Sequence, residues 1–434
     1  MTSLLIKNGH VVDPANHIDS AMDILVEDGK IAQVGQGIAA KADEVIDAAG
    51  LTVTPGLIDL QVHMREPGRE DKETIETASK AAVAGGITSV VAMPNTRPVA
   101  DNQAVIEFVL KRSREVGLIN VYPSGSISKS QTGLTLAEIN ELKNAGAIAV
   151  TDDGVDVQDE NLLRRALQYT KTCDILLMSH CEISSLTGEG VMHEGWVSTQ
   201  LGLPGTPAAA EDLAVRKNII LAEMCGARLH LLHNSTIGAV EAIREAKRKG
   251  RKNITAEVSV QHFSLTDEEC LGYNTNAKMY PPLRSREHVA AIIEGIKDDT
   301  FDAFTTDHAP HIEPEKLQPF QDATFGSTGL ETSFAVMNTY LVKAGHIPFS
   351  KGISKMTAEP ARILRIDKGT LSVGADADIA IFDTNKEWTV NAYRDSFSKG
   401  KNCVFDGKKL TGKAVCTIVA GRVKFRDGKI VAAA

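Results

Sequence analysis

Apolar positions along the chain follow two regimes. Up to about residue 54, and again after about residue 366, they come in short β-branched runs broken by turn residues: LLIKNGHVVD, DILVEDGKIAQVG and EVIDAAGLTVTPG at one end, KGTLSVGADADIAIFD, EWTV and AVCTIVAGRVKFRDGKIV at the other. Asn8-Gly9 and Asp28-Gly29 between such runs predict hairpin turns. Between the two ends the pattern changes to short apolar strands alternating with helical segments. Helices are expected over 72–84, 102–116, 135–145, 159–172, 209–225, 236–249 and 285–298, each leading into a strand. Counting the opening strand in TPGLIDLQVHMREPG gives eight strands, the number a closed parallel barrel needs. The expected fold is therefore α/β: a (β/α)8 TIM-like barrel over 55–366, with a small β-sandwich assembled from 1–54 and 367–434. The Pro- and Gly-containing passage 309–331 is expected as a loop over the barrel mouth rather than as packed structure, long enough to close over a substrate.

Polar residues gather where these strands end. The opening strand runs through Leu57, Ile58 and Leu60 and finishes on Asp59, Gln61, His63, Arg65 and Glu66 before Pro67-Gly68. Strand alternation puts Asp59, Gln61, His63 and Arg65 on one face, with Arg65 one step further out. Asn95 ends the second strand, Asp153 the fourth, His180 the fifth, His233 the sixth and Asp307 the eighth. Each has an ordinary explanation alone: Asp152-Asp153-Gly154 makes a turn, and His233 and Asp307 can cap helices. Three imidazoles and two carboxylates at one barrel mouth are instead what zinc requires, with a position left for water. Such an ion lowers the pKa of water to about 7, and a nearby carboxylate can take the proton.

Composition narrows the setting. The formal net charge of -9 over 434 residues argues against nucleic acid as a partner, although a local basic pocket can still hold an anion. No stretch approaches the roughly 20 apolar residues that cross a bilayer, and MTSLLIKNGHVVDP does not read as a signal peptide, so no membrane and a cytoplasmic location are expected. The six cysteines lack CxxC spacing and read as structural thiols, Cys181 alone lying beside the site.

PGLIDLQVHMREPG, AMPNTRP, TDDGV, HCE, HNST, KMYPPLR, TTDHAPH and FGSTGLET, in that order, resemble the motif set of the bacterial multifunctional-complex type of dihydroorotase, in the metal-dependent amidohydrolase superfamily. KGTLSVGADADIAIFD and FDGKKLTGKAVCTIVAGR are similar to its C-terminal sandwich. The resemblance implies reversible ring closure of N-carbamoyl-aspartate to dihydroorotate in pyrimidine synthesis, with one or two Zn2+ per chain. It implies His63, Asp153, His180, His233 and Asp307 as metal ligands, with Asp307 also as acid/base. Arg65, Asn95 and His311 are implied to hold the substrate carboxylate, and backbone at Phe325 and Gly326 to contact the ring. A homo-oligomer and aspartate transcarbamoylase as partner are implied too. The aspartate of TDDGV stands where hydantoinases carry a carboxylated lysine.

Three positions depart from that pattern. Gln61 stands where the family has the first histidine of a His-x-His pair, Gln261 lies in Val260-Gln261-His262 where Pro-His-His is usual, and Tyr280 replaces an asparagine before Pro281-Pro282. An amide oxygen is a much weaker zinc ligand than imidazole, so the metal position shared by His63, Asp153 and Asp307 is expected to be weak or empty. The position using Asp153, His180 and His233 keeps its donors. The alternatives to an active dihydroorotase are an impaired subunit that scaffolds aspartate transcarbamoylase, and a hydantoinase or allantoinase acting on a different ring.

Overall fold

A computed structural model describes residues 3–431. Eight parallel strands form one sheet in sequence order: β1 (Leu57–Val62), β2 (Ile87–Ala92), β3 (Asn120–Gly125), β4 (Ala149–Val150), β5 (Leu176–Ser179), β6 (Leu229–Leu231), β7 (Ile254–Ser259) and β8 (Ala303–Thr305). The ends of the sheet meet through a parallel bridge between Val62 and His308, with the His63 N–H donating to the His308 carbonyl at 2.9 Å. This nearly closed barrel is the expected (β/α)8 architecture. Its floor is covered by the helix Ala358–Leu364: Ala361, Ile363 and Leu364 pack with Ile58, Leu60, Val91, Leu176, Met178 and Leu232. Because the floor is filled with apolar side chains, polar groups can gather only at the other end.

The seven predicted helices are present, at Ile75–Ala84, Gln103–Val116, Ile139–Ala145, Glu160–Cys173, Ala209–Cys225, Ile237–Arg248 and Arg286–Lys297. Local chemistry sets their starts. The side chains of Thr74, Asn102, Asp159 and Thr236 each accept a backbone N–H from the first turn of the helix that follows, satisfying donors the helix itself cannot. Each helix turns an apolar face to the barrel, as Val105, Ile106 and Val109 do in the second.

Strands from both termini build a separate nine-stranded sheet, in which Thr52–Pro55 pairs with both Ser3–Asp13 and Ile379–Thr389. Leu4, Ile6, Val11, Ile24 and Val26 from one end of the chain share a core with Ile379, Ile381, Cys416 and Ile418 from the other. Asp28-Gly29 is the hairpin turn expected, with φ of 48° and 81°. Asn8-Gly9 is not a turn. It is a bulge inside the strand Ser3–Asp13, marked by a register shift between Ile6 and Gly9. Gly9 is needed there because a Cβ would come within 2.6 Å of the Val53 side chain, a close approach that reads in sequence like turn chemistry.

The passage 309–331 also differs from expectation. It crosses the barrel mouth, but as packed structure, with a short helix at Glu313–Lys316 and buried Lys316, Phe320, Ala323 and Leu330. The Lys316 ammonium donates to the carbonyls of Thr324 and Gly326 at 2.8 and 3.0 Å, and that of Lys278 to Phe320 and Gln321, both at 2.8 Å. Burial pulls these amines down, Lys316 to about 7 and Lys278 to about 8. Carbonyl groups, not carboxylates, hold both.

Candidate metal centre

Asp153 stands at the middle of the mouth. Its neighbour Asp152 supplies the turn: that carboxylate accepts the N–H groups of Ile127 and Ser128 at 2.8 and 3.1 Å, tying the end of β4 to the loop after β3. Asp153 is thereby free to point inward. Its Oδ1 lies 3.4 Å from His233 Nε2 and 3.8 Å from His180 Nδ1, and its Oδ2 lies 3.2 Å from His63 Nε2. Burial alone would raise this carboxyl, but the His233 hydrogen bond and the neighbouring imidazoles outweigh it and hold the group well below the usual carboxylate range.

The two histidines opposite are aimed at the same point. His180 Nδ1 and His233 Nε2 are 2.9 Å apart, and one donor atom each from Asp153, His180 and His233 fall within 4.8 Å of one another. A second partner fixes the His180 ring. The other nitrogen of His180 lies 3.1 Å from Glu182 Oε2, and Glu182 is itself held by the Thr187 hydroxyl at 2.6 Å. Because an ionised carboxylate only accepts, it places a proton on His180 Nε2 and turns Nδ1 inward as the nitrogen available to an ion. Asn95 does the same for His63, its Oδ1 sitting 2.8 Å from Nδ1. Buried, oriented lone pairs converging beside a carboxylate fit a divalent cation, and these residues form a site that could bind one. Glu182→Gln is expected to weaken metal binding about 10- to 100-fold, the usual cost of losing an orienting partner. Competition against a chromogenic chelator measures it, and unchanged affinity would remove Glu182 from this role.

His63 and Asp307 lie on the far side of Asp153, with His63 Nε2 3.5 Å from Asp307 Oδ1. Gln61 reaches the same region. Its Nε2 donates to Asp153 Oδ1 at 3.0 Å, while its fully buried Oε1 has no hydrogen-bond partner among the described residues. Below them Asp59 accepts from the Gln61 N–H, the Thr305 hydroxyl and the Thr306 N–H at 3.1, 2.7 and 3.2 Å, locking β1 to β8. His233 and Asp307 both have positive φ, 30° and 47°, a backbone cost that non-glycine residues bear where position matters. The register of β1 slips twice, so alternation does not carry through to Arg65. That residue lies beyond the strand at φ 61°.

Arg65 nevertheless faces the site. Its Nε donates to the Pro310 carbonyl at 3.3 Å, its Nη2 lies 3.5 Å from His311 Nε2, and no carboxylate pairs with it among the described residues. Burial draws its pKa down to about 10 against the pull of Asp307 and Asp153, so it stays charged at neutral pH. His311 is engaged by protein groups: Nε2 meets the Phe325 carbonyl at 2.7 Å, and Nδ1 lies 3.0 Å from the Lys72 ammonium and 2.9 Å from Glu315. The backbone of Gly326 is engaged as well, its N–H donating to Lys278 O at 2.9 Å. The Phe325 ring packs against Tyr280, which stacks on His180 at 5.2 Å between centroids. Tyr280 thus acts through its side chain, against the His180 ring. Gln261 donates to the Thr306 carbonyl at 3.1 Å and supports the loop that carries Asp307. Cys181 is buried beside Ser179, and burial pushes its thiol well up, which leaves it inert.

A (β/α)8 barrel with histidines and aspartates converging at its C-terminal mouth is the architecture of an amidohydrolase, and that site could bind a metal. Residues 222–425 match the amidohydrolase family model, and the L-hydantoinase (dihydropyrimidinase) of Arthrobacter aurescens superposes with a TM-score of 0.88 at 26% identity, covering 100% of this chain and 98% of that one. Within that class the chain belongs to the dihydroorotase family, and it is a cyclic amide hydrolase. Residues 50–238 match the dihydro-orotase-like model. The chain is 49% identical to a dihydroorotase of Citrifermentans bemidjiense over 98% of its length and 100% of that protein, and 50% identical to one of Pelotomaculum thermopropionicum over 98% and 99%.

Proposed function

We propose that this chain hydrolyses the cyclic amide of dihydroorotate to N-carbamoyl-aspartate, reversibly, with zinc held by Asp153, His180 and His233. The observation that carries this reading is the convergence of those three donors within 4.8 Å. The unpaired Arg65 beside the site supports an anionic substrate and a working enzyme over an inert scaffold. Identities of 49 and 50% to dihydroorotases, against 26% to the L-hydantoinase, support the same ring.

Held by Asp153, His180 and His233, the ion would supply a water of lowered pKa and polarise the ring carbonyl. The chain's own groups do the rest. Arg65, with its planar fork of donors, binds the substrate carboxylate and fixes the ring's orientation. Asn95 has its Oδ1 on His63, which leaves its amide N–H groups for that carboxylate, and His311 completes the pocket. Asp307 accepts the proton of the attacking water and delivers it to the amide nitrogen as the C–N bond breaks. In ring closure the same carboxylate takes the proton back from that nitrogen. The same reading makes the enzyme cytoplasmic and homo-oligomeric, with aspartate transcarbamoylase as partner; gel filtration with and without that protein tests the pairing.

Gln61 bears on how many ions are held. With its N–H on Asp153 it offers a donor where the neighbouring position needs a lone pair, so one zinc per chain is the expected content. Dihydroorotate hydrolysis with metal counted in the same sample is the direct test. In Gln61→His the content is expected to rise from about one towards about two, because the imidazole adds a fourth strong donor to His63, Asp153 and Asp307. A content of two in the unmodified chain would show that Gln61 is no barrier. Absence of turnover in both proteins would overturn the activity.

A further inference from the structure

The residues 396–408 return from the terminal sheet to the barrel mouth, and one side chain there is wholly committed to the active-site loops. Asn402 is only 4% exposed. Its Oδ1 accepts the His311 N–H at 2.9 Å, and its Nδ2 donates to the carbonyls of Ala309 and Gly326, each at 3.0 Å. Its own carbonyl accepts the Thr328 N–H at 3.0 Å, and the Val404 N–H reaches the Ser327 hydroxyl at 2.9 Å. One amide thus pins both ends of the passage that frames the substrate pocket. Gly400 presses on the same place: a Cβ there would lie 2.6 Å from Pro310 Cβ, and the Pro310 carbonyl holds Arg65.

We infer that Asn402 is the positioning residue of the carboxylate clamp, setting His311 directly and Arg65 through Ala309 and Pro310. A primary amide is the side chain that presents one acceptor and two donors in this fork. Aspartate has the same shape but no donor, so it would face two buried carbonyls with negative charge. The inference rests on the dihydroorotase reading, since the clamp has a purpose only for a substrate that carries a carboxylate. It leaves the metal triad untouched: Asn402 bonds to none of Asp153, His180 or His233.

The test is Asn402→Asp and, separately, Gly400→Ala, with steady-state kinetics on dihydroorotate, metal content, and calorimetric affinity for orotate, the planar analogue that keeps the carboxylate. Both variants are expected to raise KM about 10- to 100-fold, Asn402→Asp because the buried carbonyls of Ala309 and Gly326 lose their donor and Gly400→Ala because its methyl displaces Pro310. Orotate affinity should fall in parallel, with kcat within about threefold and metal content unchanged. Wild-type KM and orotate affinity in both folded variants would overturn the inference while leaving the activity intact. So would equal losses of kcat and metal, or loss of the thermal transition in both, because either outcome places these residues in the fold. If the unmodified chain fails to turn over dihydroorotate yet Asn402→Asp still weakens orotate, the activity falls and the positioning role stands.

Discussion

Asp307→Asn is expected to lower kcat about 10²- to 10⁴-fold, the contribution of a positioned acid/base, while metal content and KM stay near those of the unmodified chain. Asparagine fills the same volume at the end of β8, and its amide can still face His63, whose Nε2 lies 3.5 Å away. What it cannot do is accept a proton from water and return it to the ring nitrogen. The separation of effects follows from the geometry. Zinc is assigned to Asp153, His180 and His233, whose donors meet without Asp307, and the carboxylate is assigned to Arg65 and its neighbours. Kinetics in both directions make the test sharper, because one group serving hydrolysis and ring closure must slow both alike. A variant within tenfold of the unmodified kcat would show that another group moves the proton. Loss of all metal would show that Asp307 is chiefly a ligand.

Much of this site was legible in the sequence because a parallel barrel is a local code. Each strand is a short apolar run, each helix a longer periodic one, and the residue just past each strand falls at the mouth. His180 and His233 are found this way, and so is Asp153, and the structure adds that its neighbour Asp152 spends its carboxylate on Ile127 and Ser128. What the sequence hides is partnership across distance. Asn402 contacts residues 76 to 93 positions away, and no periodicity marks it. Lys316 looks like a surface lysine in EPEKLQPF, yet it is buried on carbonyls, so 309–331 reads as a free loop when it is a tied one. Glu182 carried a signal that could have been used: a carboxylate two residues after a ligand histidine can return to its ring. Asn8-Gly9 shows the opposite error. Its turn chemistry is real, but it serves a bulge that lets Gly9 pass Val53.

Removing a ligand outright has the largest expected effect. His233→Ala is expected to cut zinc affinity by more than about a hundredfold, beyond what loss of a mere orienting partner costs, and turnover should fall below detection with the ion. The backbone survives the change, since Leu229 and Leu231 hold β6 in its ladder between β5 and β7. A melting transition close to that of the metal-free unmodified chain should therefore persist. Two donors of the triad would remain, Asp153 and His180, with Gln61 offering Asp153 an N–H at 3.0 Å rather than a lone pair to the ion. The contrast with the other side of the mouth decides between the two positions. If His233→Ala empties the site, the single ion sits on the triad and Gln61 has made the neighbouring position dispensable. If the variant still holds about one tightly bound ion and turns over dihydroorotate, then His63, Asp153 and Asp307 hold the working ion despite Gln61, and the assignment must be reversed.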